Sequence, residues 1–393
     1  MPSESLSEPL PGKVLLFQPF HFDMLGGVDV VMDNLWRGLE RHQPGLAWIG
    51  IQDWVKSGDE VDAEGRRFLH LNLPQAPDGG LRPHLRYLIT LCRRVPAIVQ
   101  ELRAREITVV NFHFPTLNVF PLALIKRLGL WKGRIVLSFH GSDVLAIDPK
   151  RTAWKLIASQ VDEVTACSKA LAGQVETLRL FKRPPRAIYN GIDIPRFLSR
   201  ASVEPLTVPA PYILNVGTFV SNKGQDILLE AFAHVARTHP QINLVYVGGA
   251  DNGVWLAGLR RRTAELGLGE RVHFLENQPQ KHVATLMRNA ICLAHSSHRE
   301  GLPLVLIEAG ASHLPIVSSR VGGIPEIVES ADHALLVEPG DSSALASAIL
   351  SILHSPGDAS LRATRLRQRI SDFFSAEVMT SSYLSTYANN QPN

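Results

Sequence analysis

The sequence predicts an α/β protein built as two successive doubly wound domains. Short apolar runs alternate with longer segments of helical spacing along all 393 residues, as when parallel strands are buried beneath helices on both faces. The alternation breaks once, at "PRFLSRASVEPLTVPAPY" (195–212), a proline- and serine-bearing stretch that reads as a linker, and then restarts. The length also suits two ordinary cores better than one.

In the first series, "KVLLFQ" (13–18) is an apolar run ending at a loop. "GGVDVVMDNLWRGLERH" follows, with Val28, Val31, Leu35 and Leu39 recurring at helical spacing. Strands are expected next at 107–113, 134–140, 163–168 and 186–191. The second series runs through 212–217, 242–249, 271–276, 290–296 and 314–319, with helices such as "GQDILLEAFAHVART" between. The expected divisions are a disordered leader at 1–12, a first domain at 13–200, a second at 201–370, and a last helix at 371–393 able to pack back on the first domain. Ligands of such sheets collect outside the carboxyl ends of the strands, so a crevice is expected there.

Composition narrows the class. With 45% hydrophobic and 20% charged residues the chain is globular rather than disordered or fibrous, and no apolar run approaches the roughly 18 residues of a membrane-spanning helix. The polar, acidic start "MPSESLSEPLPGK" reads as a leader, not a secretory signal. Cys92, Cys167 and Cys292, odd in number and far apart, read as buried reduced thiols of a cytoplasmic protein, without metal-ligand spacing. The net charge of +3 hides an asymmetry: residues 1–200 hold 26 Lys and Arg against 20 Asp and Glu, and residues 201–393 hold 14 against 17. Much of the excess lies in "RPHLRYLITLCRRVPAIVQELRARE" (82–106), where Arg82, Arg86, Arg93, Arg94, Arg103 and Arg105 stand among leucines and isoleucines. Two readings remain open: a basic amphipathic helix on an anionic membrane surface, or a surface helix whose apolar stripe packs on its own domain.

No G-x-G-x-x-G follows the first strand, and "GLGERV" (267–272) comes after a helix, which argues against a nicotinamide enzyme. Glycine turns open helices instead, at Gly26-Gly27, His140-Gly141, Gly217, Gly248-Gly249 and Gly322-Gly323. Each alone is an ordinary turn; as a series they place free N–H groups and positive helix ends where phosphate binds. In "GTFVSNKGQDILLEAF", Ser221 or Asn222 is the expected helix cap, and Lys223 is either a phosphate-facing ammonium or a plain exposed lysine. In "HREGLPLVLIEAG" (298–310), Pro303 fits the first turn of a helix, the N–H groups around Leu302, Leu304 and Val305 would face an anion, and Glu300 stands at the same mouth. Glu308 follows about two turns on. A buried carboxylate needs hydrogen-bonded partners; sugar hydroxyls would serve, and so would a structural arginine or backbone amide.

Taken with "SSRVGGIPEIV", "FHGSDV", "CSKAL", "IYNGIDIPRF" and "LLVEPGDSSALASAI", these segments resemble, in the same order, the retaining glycosyltransferases of the glycogen-synthase-like family four, glycosyl transferases group 1. The resemblance implies the GT-B fold, two Rossmann-like doubly wound domains facing across a cleft. It implies that the second domain binds a UDP- or GDP-sugar, with Glu308 on the ribose and Glu300 near the sugar hydroxyls. The backbone of Gly301, Leu302, Leu304 and Val305 would meet sugar and phosphate, and Lys223 the diphosphate, in a loop with Gly217 and Thr218. Gly27 would close over the diphosphate, His140 would lie next to the anomeric centre, and His113 and Asp143 would serve the acceptor. Asn190 to Asp193 would belong to a hinge. Catalytic roles fall to His140, Glu300 and Lys223.

No Asp-x-Asp motif is present, so no metal or cofactor is expected beyond the nucleotide sugar: Lys223 and helix N-termini would stabilise the departing diphosphate. In the family the diphosphate itself helps deprotonate the acceptor, so no glycosidase-like carboxylate pair is assigned. Thr218 stands where the family has arginine, with Arg299 as candidate replacement, and His313 stands where the family tends to have glycine. The implied function is surface-polysaccharide assembly on a glycan or lipid-linked acceptor, by a cytoplasmic enzyme peripheral on the inner membrane face, with no nucleic-acid partner. Alternatives are synthesis of a small soluble glycoside, or a nucleotide-sugar epimerase or non-catalytic sensor.

Overall fold

The computed structural model describes residues 10, 12–22, 26–54, 58–77, 81–199, 208–249 and 253–388, in two compact units. In the first, strands β1 (Lys13–Gln18), β2 (Ala47–Gln52), β3 (Gly58–Val61), β4 (Arg67–Leu71), β5 (Ile107–His113), β6 (Arg134–Phe139), β7 (Glu163–Ala166) and β8 (Arg186–Ala187) form one sheet in the order β3-β4-β2-β1-β5-β6-β7-β8. Only β3 is antiparallel to its neighbour. Helices α1 (Gly27–His42), α2 (Leu81–Ala104), α3 (Phe120–Arg127), α4 (Thr152–Gln160) and α5 (Lys169–Thr177) connect them. Val14, Leu15, Leu16 and Phe17 of β1 are all fully buried, which explains why the strand reads as a continuous apolar run.

The second unit begins at Asn190 with α6 (Ile194–Ser199). Its sheet, β9 (Tyr212–Val216), β10 (Asn243–Gly248), β11 (Val272–Glu276), β12 (Cys292–His295), β13 (Ile316–Ser319) and β14 (Leu335–Val337), is parallel throughout, in the order β11-β10-β9-β12-β13-β14. This is the doubly wound order whose switch point falls between the first and fourth strands, here β9 and β12. Helices α7 (Gln225–Thr238), α8 (Val254–Glu265), α9 (Gln280–Asn289), α10 (Leu304–Ala311), α11 (Ile324–Val328), α12 (Ser342–His354) and α13 (Pro356–Phe373) complete it. Phe219, Leu228, Phe232, Leu244, Tyr246 and Ile349 belong to its buried core. The chain then returns to the first unit as α14 (Ala376–Ala388).

Several expectations are corrected. The changeover lies at Tyr189/Asn190 rather than at 200/201, and only residues from Ala376 rejoin the first unit. Residues 195–199, placed in a linker, belong to the helix Ile194–Ser199 with Phe197 buried, and Asn190 donates from Nδ2 to the Leu302 carbonyl at 3.2 Å, so this stretch travels with the second unit. The rest of that linker to 207, with the leader up to residue 9, lies outside the described residues. Strands β2, β3, β4 and β14 went unread: β3 is short and charged, β14 has three residues, and β2 includes Gly50 and Gln52 within its apolar run. Cys92 is exposed, unlike buried Cys167 and Cys292. Among the described residues no helix is long and apolar enough to cross a membrane.

Candidate functional site

In the second unit, the loops after β9 and β12 open at the switch point and are tied to each other. His298 donates its backbone N–H to the Asn222 carbonyl at 2.9 Å, and Asn222 Nδ2 donates to the Arg299 carbonyl at 3.0 Å. Gly224 has φ +59°, and a Cβ there would sit 2.2 Å from the Ser296 carbonyl oxygen, so this close crossing requires glycine. Residues 221–223 form a single 3-10 turn and Gly224, not Ser221 or Asn222, occupies the N-cap of α7. On the other side Gly322, at φ +52°, lies under the Glu300 backbone, and Gly323 N–H donates to the Gly301 carbonyl at 3.0 Å.

These loops place Lys223 and Glu300 together. Lys223 Nζ is 2.7 Å from Glu300 Oε1, and the same oxygen accepts from Ser297 Oγ at 2.6 Å and meets His295 Nε2 at 3.0 Å. Burial by itself would raise the Glu300 pKa, but the His295 hydrogen bond and the Lys223 charge override it and pull the carboxyl down to about 2. Glu300 is therefore an ionised acceptor, with its side chain 9% exposed, while Lys223 remains 26% exposed. Gly217 lies against the Lys223 stem. Pro303 occupies the N-cap of α10 rather than its first turn, without a side-chain cap, so Leu304 and Val305 open the helix with N–H groups that have no intrahelical acceptor. A lysine, an ionised glutamate and an uncapped helix start form a surface suited to a phosphorylated, hydroxyl-bearing ligand.

Glu308 lies within α10, part-exposed. Gly301 and Leu302 are buried beside Glu300. Thr218 is exposed and its carbonyl accepts from Gln225 Nε2 at 2.9 Å; Arg299 is exposed as well. His295 and Ser297 were missed in the sequence, although the polar "HSSH" closing an apolar strand was a usable signal, and Asn222 was read only as a helix cap.

In the first unit the corresponding edge gathers His113, His140 and Asp143. His113 Nδ1 is 3.0 Å from His140 Nε2, with the rings stacked. The Asp143 carboxylate accepts from the backbone N–H groups of His140 at 2.9 Å, Gly141 at 2.7 Å and Val144 at 3.2 Å. Burial outweighs those amides and pushes its pKa up to about 6. Asp143 holds the turn through these amides, and His113 is fully buried beside His140. Gly27 opens α1, and among the described residues nothing lies within 4 Å of where its Cβ would sit; residues 23–25 before it lie outside the described residues. The sequence did not point to Asn111, Ser138, Tyr383 and Tyr387, which pack behind the histidine pair.

The comparisons agree with this architecture. The profile "Glycosyltransferase Family 4" matches residues 25–196 and "Glycosyl transferases group 1" matches residues 202–371. The chain is 24% identical over 309 residues to the N-acetyl-alpha-D-glucosaminyl L-malate synthase of Bacillus anthracis, covering 77% of this chain and 79% of that one. It is 30% identical over 253 residues to a GDP-mannose-dependent alpha-(1-6)-phosphatidylinositol monomannoside mannosyltransferase of Mycolicibacterium smegmatis, covering 60% of this chain and 65% of that one. Among solved structures, Anabaena Alr3699/HepE in complex with UDP and glucose aligns with TM-score 0.76 at 21% identity, over 96% of this chain and 100% of that one, a likeness of fold. With one profile on each unit and the GT-B architecture behind both, the chain belongs to the group 1, family 4 glycosyltransferases.

Proposed function

We propose that this glycosyltransferase takes its sugar from a UDP- or GDP-sugar and transfers it with retention, without a metal, to a lipid-linked or glycan acceptor in surface-polysaccharide assembly at the inner face of the cell membrane. The observation that carries the donor reading is the Lys223–Glu300 pair beside the open start of α10, at the switch point of the second sheet. Lys223 and the first N–H groups of α10 would neutralise charge growing on the departing diphosphate. Glu300 would accept from sugar hydroxyls and Glu308 from the ribose. Arg299 would supply the cation that Thr218 lacks. The Mycolicibacterium relative is named for GDP-mannose, and the Anabaena structure holds UDP and glucose.

The membrane reading rests on α2. Leu85, Leu88 and Ile89 are 59%, 52% and 48% exposed, in a row with Cys92 and flanked by exposed Arg82, Arg86 and Arg93. An apolar stripe left open between arginines suits an anionic lipid surface, and the Mycolicibacterium relative is named for a phosphatidylinositol glycolipid.

The test is nucleoside diphosphate release from UDP-glucose and GDP-mannose. Lys223→Ala is expected to lower turnover by about 10²–10³-fold, EDTA to leave it unchanged, and the product to keep the donor's anomeric configuration by NMR. Binding of a nucleoside diphosphate should raise the melting temperature; binding without release would instead favour a sensor.

A further inference from the structure

Three hydrogen-bonding groups crowd one oxygen of Glu300. Lys223 Nζ at 2.7 Å, Ser297 Oγ at 2.6 Å and His295 Nε2 at 3.0 Å all meet Oε1, and Oε2 has no partner among the described residues. An ionised carboxylate only accepts, so His295 carries a proton on Nε2 and Ser297 turns its hydroxyl hydrogen to the same oxygen. The three partners are not alike. Lys223 reaches in from the loop after β9, is 26% exposed, and brings the cation. His295 closes β12 with its side chain 3% exposed, and brings a hydrogen bond to which a charge can be added. Ser297 can bring only its hydroxyl.

With Lys223 on Oε1 the carboxylate is balanced, and a charge on His295 as well would set two cations against one buried anion. A diphosphate would compete for the same lysine. As Lys223 turns to the phosphate, Glu300 stays buried and loses its cation, which is costly unless another takes over. His295 already sits on that oxygen, and a proton from solvent on Nδ1 makes it an imidazolium without breaking its hydrogen bond. Ser318 of β13 pairs with His295 in register and is uncharged. On the adjoining loops and helix, His298 Nε2 lies 3.4 Å from the Cβ position of Gly224, Arg299 is exposed, Arg320 pairs with Glu338 at 3.7 Å, and Glu308 sits on α10. None of these shares Oε1 of Glu300.

We propose that His295 is a positioning residue that takes over Glu300 when a sugar nucleotide draws Lys223 away, so that binding of the sugar nucleotide takes up a proton from solvent. This rests on the donor reading above, in which Lys223 meets the diphosphate. The proton enters at Nδ1 of His295 and returns to solvent when the diphosphate leaves and Lys223 comes back to Oε1. Glu300 thereby keeps its charge and its place throughout, with Oε2 left to accept from a sugar hydroxyl.

Calorimetric titration of the full chain with UDP-glucose and with GDP-mannose at pH 7.5, in PIPES and in Tris, counts the protons from the difference in heat between the two buffers. Both phosphates of a sugar nucleotide are bonded on two sides and lack the second ionisation near about pH 6 of a terminal phosphate, so the ligand itself supplies no proton. Net uptake is expected with the sugar nucleotide that binds, and binding without uptake overturns the proposal. Failure of both to bind, with no diphosphate released, overturns the donor reading and this proposal with it. His295→Gln keeps an N–H for Oε1 but cannot take a charge. Its uptake should vanish, and its Kd should stay within about twofold from about pH 6.5 to 8.5, whereas the wild-type Kd should rise by up to about tenfold per pH unit. A merely structural histidine would leave the two slopes alike, and alike slopes overturn the proposal. Where that variant does not fold, nitrogen NMR of the histidine-labelled wild type decides. One ring should become imidazolium when the sugar nucleotide is added, and no such change overturns the proposal.

Discussion

Glu300 is held by three partners on one oxygen, so its charge is secured before any ligand binds. Removing Lys223 alone leaves a buried carboxylate short of its cation. Lys223→Met is expected to lower unfolding free energy by about 2 kcal/mol in urea titrations, and Lys223→Met with Glu300→Gln to recover part of that loss. A double variant no more stable than the single one would refute the coupling. Gly322→Ala brings a methyl against the Glu300 carbonyl at φ +52°; by displacing the Glu300 backbone it should weaken donor binding and lower the melting temperature. His313 has φ +60°, which explains why glycine suits this position; its ring instead contacts Thr364 Oγ1 at 2.6 Å. The positions of Lys223 and Glu300 were legible because their motifs are short. Their pairing was not, because the two lie 77 residues apart.

At the scale of elements, α2 and α14 carry the departures from a plain doubly wound unit. The amphipathic spacing of α2 was readable, but spacing cannot tell which apolar residues pack and which stay open: Leu91, Ile98, Val99 and Leu102 are buried, whereas Leu85, Leu88 and Ile89 are exposed. Replacing all three with glutamate should abolish co-sedimentation with vesicles of phosphatidylglycerol and phosphatidylcholine while leaving the melting temperature within about 2 °C, since surface changes cost little. Unchanged sedimentation would favour a small soluble acceptor. In α14, Tyr383 and Tyr387 are buried, and a chain ending before Ala376 should lose stability in the first unit, seen as faster amide exchange in β5 and β6.

The whole molecule should be acid-sensitive. His113 and His140 have folded pKa values below the unfolded value of about 6.5. The unfolded chain therefore binds more protons as pH falls below that value, and stability present above it is lost toward about 4, where His140 itself takes up a proton. Asp143, raised to about 6, works the other way between 6 and its ordinary value near 3.8. The net loss is expected to be on the order of 1 kcal/mol per pH unit between about pH 6 and 4, read from urea midpoints. His113→Asn should reduce that slope, and an unchanged slope would place the sensitivity elsewhere.

By itself the sequence determined the two α/β series, the glycine turns and the Lys223 and Glu300 motifs. Each is written in spacing within a few residues, where periodicity and turn chemistry act. The tertiary structure decided what distance along the chain conceals. It set the boundary at Tyr189, buried Leu91, Ile98, Val99 and Leu102 of α2 while leaving Leu85, Leu88 and Ile89 exposed, and turned Asp143 and His113 inward. It also brought Tyr387 within 2.7 Å of Asn111 across 276 residues. A buried polar atom must find its partner wherever packing supplies one, and no local pattern records where that is.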